Sequence, residues 1–173
     1  ASFNAYYQID LPKGLDENAC FASTPPYSGI IFYASGNTVY RLDFKQAGGK
    51  ATAIYTHSGG KATKMKFAKR KAPGEGEFAA YEFDLQRSLG VSFDMGNGKS
   101  DFVILNLSST GSVGANSATY PATQVYSDFG EITDFHEKIN DVYNIILNGN
   151  VGITNGYIDV SIKNMPVIKK NEE

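Results

Sequence analysis

Two histidines, His57 and His136, and a single cysteine, Cys20, are the only side chains of their kinds in this 173-residue chain. They limit what nucleophilic chemistry the sequence offers. A Ser–His–Asp site built on either histidine would want a strained turn of the form G-x-S-x-G, and no serine has it. His57 precedes Ser58-Gly59-Gly60 and reads as a turn cap, whereas His136 reads as a strand-surface residue. Cys20 lies among Ala19, Phe21 and Ala22 and reads as a small buried hydrophobe. One cysteine also excludes an internal disulfide framework and a multi-cysteine zinc site.

Other constellations resolve in favour of turn chemistry. Gly98-Lys99-Ser100 contains the end of a phosphate loop, but the glycine needed five residues earlier is Phe93. A strand-to-strand turn also supplies no helix N-terminus for the anion. Asp94, Asn97 and Asp101 carry oxygens suited to a hard cation, yet their spacing lacks the bidentate glutamate of a calcium loop. Asx-turn chemistry explains them better. Lys61, Lys64, Lys66, Lys69, Arg70 and Lys71 form a basic cluster whose lysines alternate with Ala62, Met65 and Phe67. Edge strands carry lysine to block edge-to-edge pairing, and a face for anionic glycans or nucleic acid is the other reading. Paired carboxylates for glycoside hydrolysis come from distant residues, and Asp43, Asp84, Asp94, Asp128, Glu131 and Asp134 all fall near expected strand ends. Nothing ranks one pair above another. Tyr6, Tyr7, Tyr27, Tyr33, Tyr120 and Tyr126 are candidates for stacking on sugar rings, most of them being needed for packing. The sequence therefore assigns no catalytic, cofactor-binding or metal-binding residue, and the balance leans against an enzyme.

The elements that must position these residues read as strands. Eighteen glycines, eleven tyrosines and eleven phenylalanines, without tryptophan, favour an all-β chain. Gly29–Ala34 and Thr38–Phe44 flank Ser35-Gly36-Asn37 as one hairpin. Leu89–Met95 and Asp101–Leu107 flank Gly96–Ser100 as a second, and the run Phe102–Leu105 is apolar on both faces, so that strand should be covered on both sides. Near the C-terminus Asn148-Gly149 and Asn155-Gly156 predict a meander of Asp141–Leu147, Asn150–Thr154 and Tyr157–Ile162. A helix competes there: Phe135, Ile139, Val142, Tyr143, Ile146 and Leu147 make one apolar stripe, with Asp134 as N-cap and Glu137 at the third position. Strands are preferred because Ile145–Leu147 runs directly into a turn.

Repetition suggests the architecture. Thr52–Thr56 and Thr123–Ser127 share T-x-[IV]-Y-[TS], and similar short segments precede each hairpin group at 19–24, 62–67 and 131–136. These mark four-stranded antiparallel units at about 19–56, 61–128 and 131–162 within one all-β region spanning 1–173. Such repetition is how a β-propeller announces itself. The alternative is a β-sandwich with a C-terminal helix.

Thr56–Lys69 (THSGGKATKMKFAK) resembles the junction between blades of a WD-type propeller, and Ile30–Phe44 resembles the two middle strands of a blade. Tyr33–Asp43 (YASGNTVYRLD) and Phe129–Asp134 (FGEITD) resemble runs in the C-terminal propeller-like region of Bacteroidetes cell-surface lipoproteins with PKD-like domains. The likeness spans about residues 19–138. No Trp-Asp dipeptide occurs, Leu42-Asp43 standing in that place. The resemblance implies a bacterial cell-envelope location, at the outer-membrane surface or in the periplasm, with membrane attachment only through a lipid anchor outside this chain. It implies a non-catalytic binding or scaffolding segment, taking glycan or protein at a loop face, or else a portion of a glycan-active propeller enzyme. Because a ring needs at least ~4 blades and three units are read here, and because residue 1 is Ala1, the chain is expected to be a mature or trimmed piece of a longer protein. A net charge of −2 gives no global field for nucleic acid, and no apolar run approaches the ~20 residues that span a bilayer.

Overall fold

The computed structural model describes residues 19–22, 30–43, 50–67, 88–106, 123–137, 142–148, 156–161 and 167–170. Every element among them is a strand: β1 (Cys20–Ala22), β2 (Ile30–Ser35), β3 (Thr38–Asp43), β4 (Lys50–Thr56), β5 (Lys61–Phe67), β6 (Ser88–Gly96), β7 (Lys99–Asn106), β8 (Thr123–Glu137), β9 (Val142–Asn148), β10 (Gly156–Ser161) and β11 (Val167–Lys170). Within each sheet every strand pairs antiparallel with its neighbours in sequence, and the break falls between β4 and β5. One sheet has the order β1-β2-β3-β4 and the other β11-β10-β9-β8-β7-β6-β5.

The two sequence-read hairpins form, with tighter turns than their glycines alone suggest. Ser35 pairs with Thr38, so the first connection is only Gly36-Asn37. Gly96 pairs with Lys99, which shortens the second to Asn97-Gly98. Both Asn97 (φ 54°) and Gly98 (φ 71°) are left-handed there, as a two-residue turn matched to strand twist requires. The stretch 142–148 is strand, so the alternative helix over Phe135–Leu147 does not form. Its apolar residues instead alternate: Tyr143, Ile145 and Leu147 are buried while Asn144 and Ile146 are only half-buried. The proposed strand Asn150–Thr154 lies outside the described residues, and β9 pairs with β10.

The fifteen-residue β8 serves two leaves of sheet. Its first part pairs with β7 and its second, from Glu131 onward, pairs with β9. The expected boundary between the second and third units therefore falls inside one continuous strand. A bulge opposite Ser100–Phe102 leaves one extra residue on β8, and Asp128 within it has φ 63°. Such bulges bend a strand and increase its twist.

Parity along β7 shows how the leaves stack. Val103 and Leu105 join a core cluster with Ala22, Phe32, Ala34 and Val39 of the first sheet and Met65, Leu89, Val91 and Phe93 of β5 and β6. Phe102 and Ile104 join the opposite cluster, with Phe135, Tyr143, Ile145, Ile158 and Val160. The β5–β7 leaf is thus covered on both faces, as the two-sided apolar run predicts. Gly90 permits this on the β9 side: a Cβ there would lie 2.7 Å from the Tyr143 ring and 2.8 Å from Phe102. The Tyr143 hydroxyl then reaches across to the carbonyls of Ser88 (3.0 Å) and Lys66 (3.2 Å), so its burial leaves no unmet donor.

Candidate functional site

Two groups of polar side chains stand out, one buried at the corner between the sheets and one half-exposed at the seam between β5 and β8. The corner, His57–Gly60, links β4 to β5. Its backbone is keyed to the β2–β3 turn: His57 N–H donates to the Asn37 carbonyl (2.8 Å), the Asn37 side-chain amide donates to the His57 carbonyl (2.7 Å), and Ala62 N–H donates to the Gly36 carbonyl (2.8 Å). On its other side Gly60, at φ 74°, passes so close to β6 that a Cβ would sit 2.6 Å from the Asp94 carbonyl oxygen. Only glycine fits. The turns at 36–37, 57–60 and 94–98 therefore lie against one another, tied by hydrogen bonds and close backbone contact.

His57 itself is 4% exposed and stacks on Phe93 at 4.4 Å. Its Nε2 lies 2.6 Å from Oδ2 of Asp101, which is 7% exposed, and its Nδ1 lies 2.7 Å from the Tyr55 hydroxyl. A carboxylate only accepts, so Nε2 donates to Asp101, and in the neutral imidazole Nδ1 then accepts from the phenol. This Tyr55–His57–Asp101 relay looks like a proton-transfer chain, but its terminal group is poorly suited to attack. Burial, and then the nearby Asp101 charge, push the Tyr55 phenol above its ordinary value and keep it protonated. Both imidazole nitrogens are committed. The expectation that His57 caps a turn is thus incomplete: it also joins two sheets through a residue 44 positions away.

At the seam, Lys64 Nζ donates to Asp134 Oδ1 (2.5 Å) and Lys66 Nζ donates to the Phe135 carbonyl (2.8 Å). The Lys66 ammonium also lies 5.6 Å above the Phe135 ring and 3.7 Å from Asp134. His136 Nε2 stands 3.7 Å from the other Asp134 oxygen. The hydrogen bond from Lys64, aided by the Phe135 N–H and both ammonium charges, outweighs desolvation and holds the Asp134 carboxyl below its ordinary value.

The remaining sequence candidates disperse. Asp94 accepts from Gly96 N–H and Asp101 turns inward to His57, so the two do not face a common cation position with Asn97. Among the described residues no three His, Cys, Asp or Glu side chains gather as a metal site. Glu131 accepts from Asn148, and Asp43, Asp94 and Asp128 lie apart on separate strands. Tyr33, a candidate sugar platform, is instead buried between Phe21 and Tyr40, and burial raises its phenol. Tyr126 is half-buried beside Phe129. Cys20 is half-buried against the first core cluster, its thiol pushed up by desolvation. Tyr6, Tyr7, Tyr27, Tyr120, Asp84, Lys69, Arg70 and Lys71 lie outside the described residues. Neither the relay nor the Lys64–Asp134 pair was legible beforehand. Comparison with protein-family models, with curated proteins and with solved structures gives no match for this chain.

Proposed function

We propose that this chain is a non-catalytic binding or scaffolding segment of a bacterial cell-envelope lipoprotein, taking a glycan or protein at the turn-bearing end of its stacked leaves. The observation that carries the reading is the use made of the one buried histidine. In a catalytic relay one member stays free to exchange a proton with substrate. Here both His57 nitrogens are bound inside the protein and the phenol at the end is held neutral. The relay fixes the His57 corner, whose backbone bonds to Asn37 and Gly36 and close approach to Asp94 hold three turns together and present the exposed residues Gly36, Ser58, Gly60, Gly96, Asn97 and Lys99. A preorganised loop surface binds with less ordering cost than a mobile one.

Incubating the protein on a glycan array and analysing the supernatant by mass spectrometry tests this. Saturable retention, weakened by Lys99→Ala or Ser58→Ala, with no shortened saccharide released, is the expected result. Appearance of cleaved products would move the protein to the glycan-active class, and absence of retention would remove the glycan from the reading.

A further inference from the structure

Asp134 sits where an external anion would sit. Two ammonium groups and one imidazole, drawn from β5 and β8, converge on its carboxylate within 3.7 Å. Their side chains are open to solvent, with 40% exposure for Lys64, 30% for Lys66 and 58% for His136. An ammonium carries three donors. Lys64 gives one to Asp134 and Lys66 gives one to the Phe135 carbonyl, so each part-exposed ammonium keeps donors that these two bonds do not use. Two cations against one carboxylate leave a local positive charge in a chain whose net charge is −2. The Phe135 ring under Lys66 and the bond to its carbonyl fix the ammonium in place rather than leaving it to wander.

We propose that Lys64, Lys66 and His136 form a binding site for an oxyanion carried on a saccharide, a uronate carboxylate or a sulfate ester, with Asp134 as its built-in competitor. This goes beyond the reading above, because the seam is distinct from the turn-bearing end and involves a defined ligand charge. The competitor gives the proposal an unusual signature. A purely structural latch loses stability when Asp134 is neutralised and gains no affinity for anything. A masked anion site binds anions more tightly once the internal carboxylate is gone.

The test is an NMR titration of the labelled full chain with a galacturonate trisaccharide, inorganic phosphate and neutral galactose, following the His136 ring and the Lys64 and Lys66 side chains. Saturable shifts with the trisaccharide, none with galactose, and about tenfold tighter binding in Asp134→Asn are expected, with loss of the shifts in the Lys64→Gln/Lys66→Gln pair. A stronger response to the trisaccharide than to phosphate assigns the saccharide as source; the reverse keeps the oxyanion site and overturns the saccharide. No saturable shift with either anion up to about 50 mM, far above a millimolar dissociation constant, overturns the site. So does folded Asp134→Asn with unchanged affinity. Should Asp134→Asn fail to fold, the lysine double variant against the unaltered protein decides alone.

Discussion

His57 has no slack. Its ring is packed against Phe93, and each nitrogen meets a partner supplied by a different strand. Removing the imidazole leaves the buried Asp101 carboxylate without its donor, and an unmet buried polar group costs more than the hydrogen bond itself contributed. His57→Ala should therefore lower stability by about 3 kcal/mol, seen as a fall of roughly 6 to 12 °C in thermal midpoint for a chain of this size. Tyr55→Phe removes only the outer hydroxyl and leaves the Nδ1 lone pair unmet, so a smaller loss of about 1 to 2 kcal/mol is expected. Urea titrations of the two variants should rank them in that order. Equal losses would mean that the phenol, not the carboxylate, anchors the imidazole. The histidine was visible in the sequence but its role was not: Asp101 is 44 residues away, and Asp94 and Asp101 looked equivalent until the inward turn of Asp101 separated them.

At the scale of single elements, β5 and β8 are held together by the Lys64–Asp134 pair, and acid should weaken that hold. The folded pKa of Asp134 lies below its unfolded value. The pairing thus stabilises fully above the unfolded carboxylate range near ~4 and is lost as pH falls through the folded value. The Asp134 side chain is 36% exposed, so water and salt screen the pair and its worth stays within about 1 kcal/mol. Urea stability of the unaltered protein minus that of Asp134→Asn should be positive at pH 6 and shrink below pH 4. A difference constant across that window would show that the carboxylate contributes through shape alone. Strand β8 offers a second prediction, since the left-handed Asp128 is its bend. Asp128→Gly should be tolerated, while Asp128→Val should destabilise by about 1 to 3 kcal/mol. These elements were legible to different degrees. The tight turns announced β2–β3 and β6–β7, and the shared T-x-[IV]-Y-[TS] motif marked β4 and the start of β8. That β8 carries on past Ser127-Asp128 was hidden, because Asp-Phe-Gly resembles a turn; pairing with β7 on either side of the bulge, and with β9 from Glu131, carries the strand across. The tail strand β11 gave no signal, being only four residues long.

Across the whole molecule, connectivity predicts unequal resistance to opening. The β5–β7 leaf is buried on two faces and shares β8 with the β9–β11 leaf, so separating those two breaks backbone ladders as well as a core. Between the β1–β4 sheet and β5, by contrast, the described residues supply one strand-to-turn backbone bond, Ala62 N–H to Gly36, beside the apolar contact and the His57 corner. Segments with fewer hydrogen-bonded ties open at lower free energy. Native-state hydrogen exchange should accordingly find its slowest amides in β6 and β7, with β2 and β3 exchanging earlier as a group. The relay spans that weaker boundary, which makes His57→Ala diagnostic at this scale also. The substitution should speed exchange in β2–β4 by far more than in β9 and β10. Uniform acceleration throughout would mean that the leaves open only together, and that the corner supports global stability rather than the docking of one sheet upon the next.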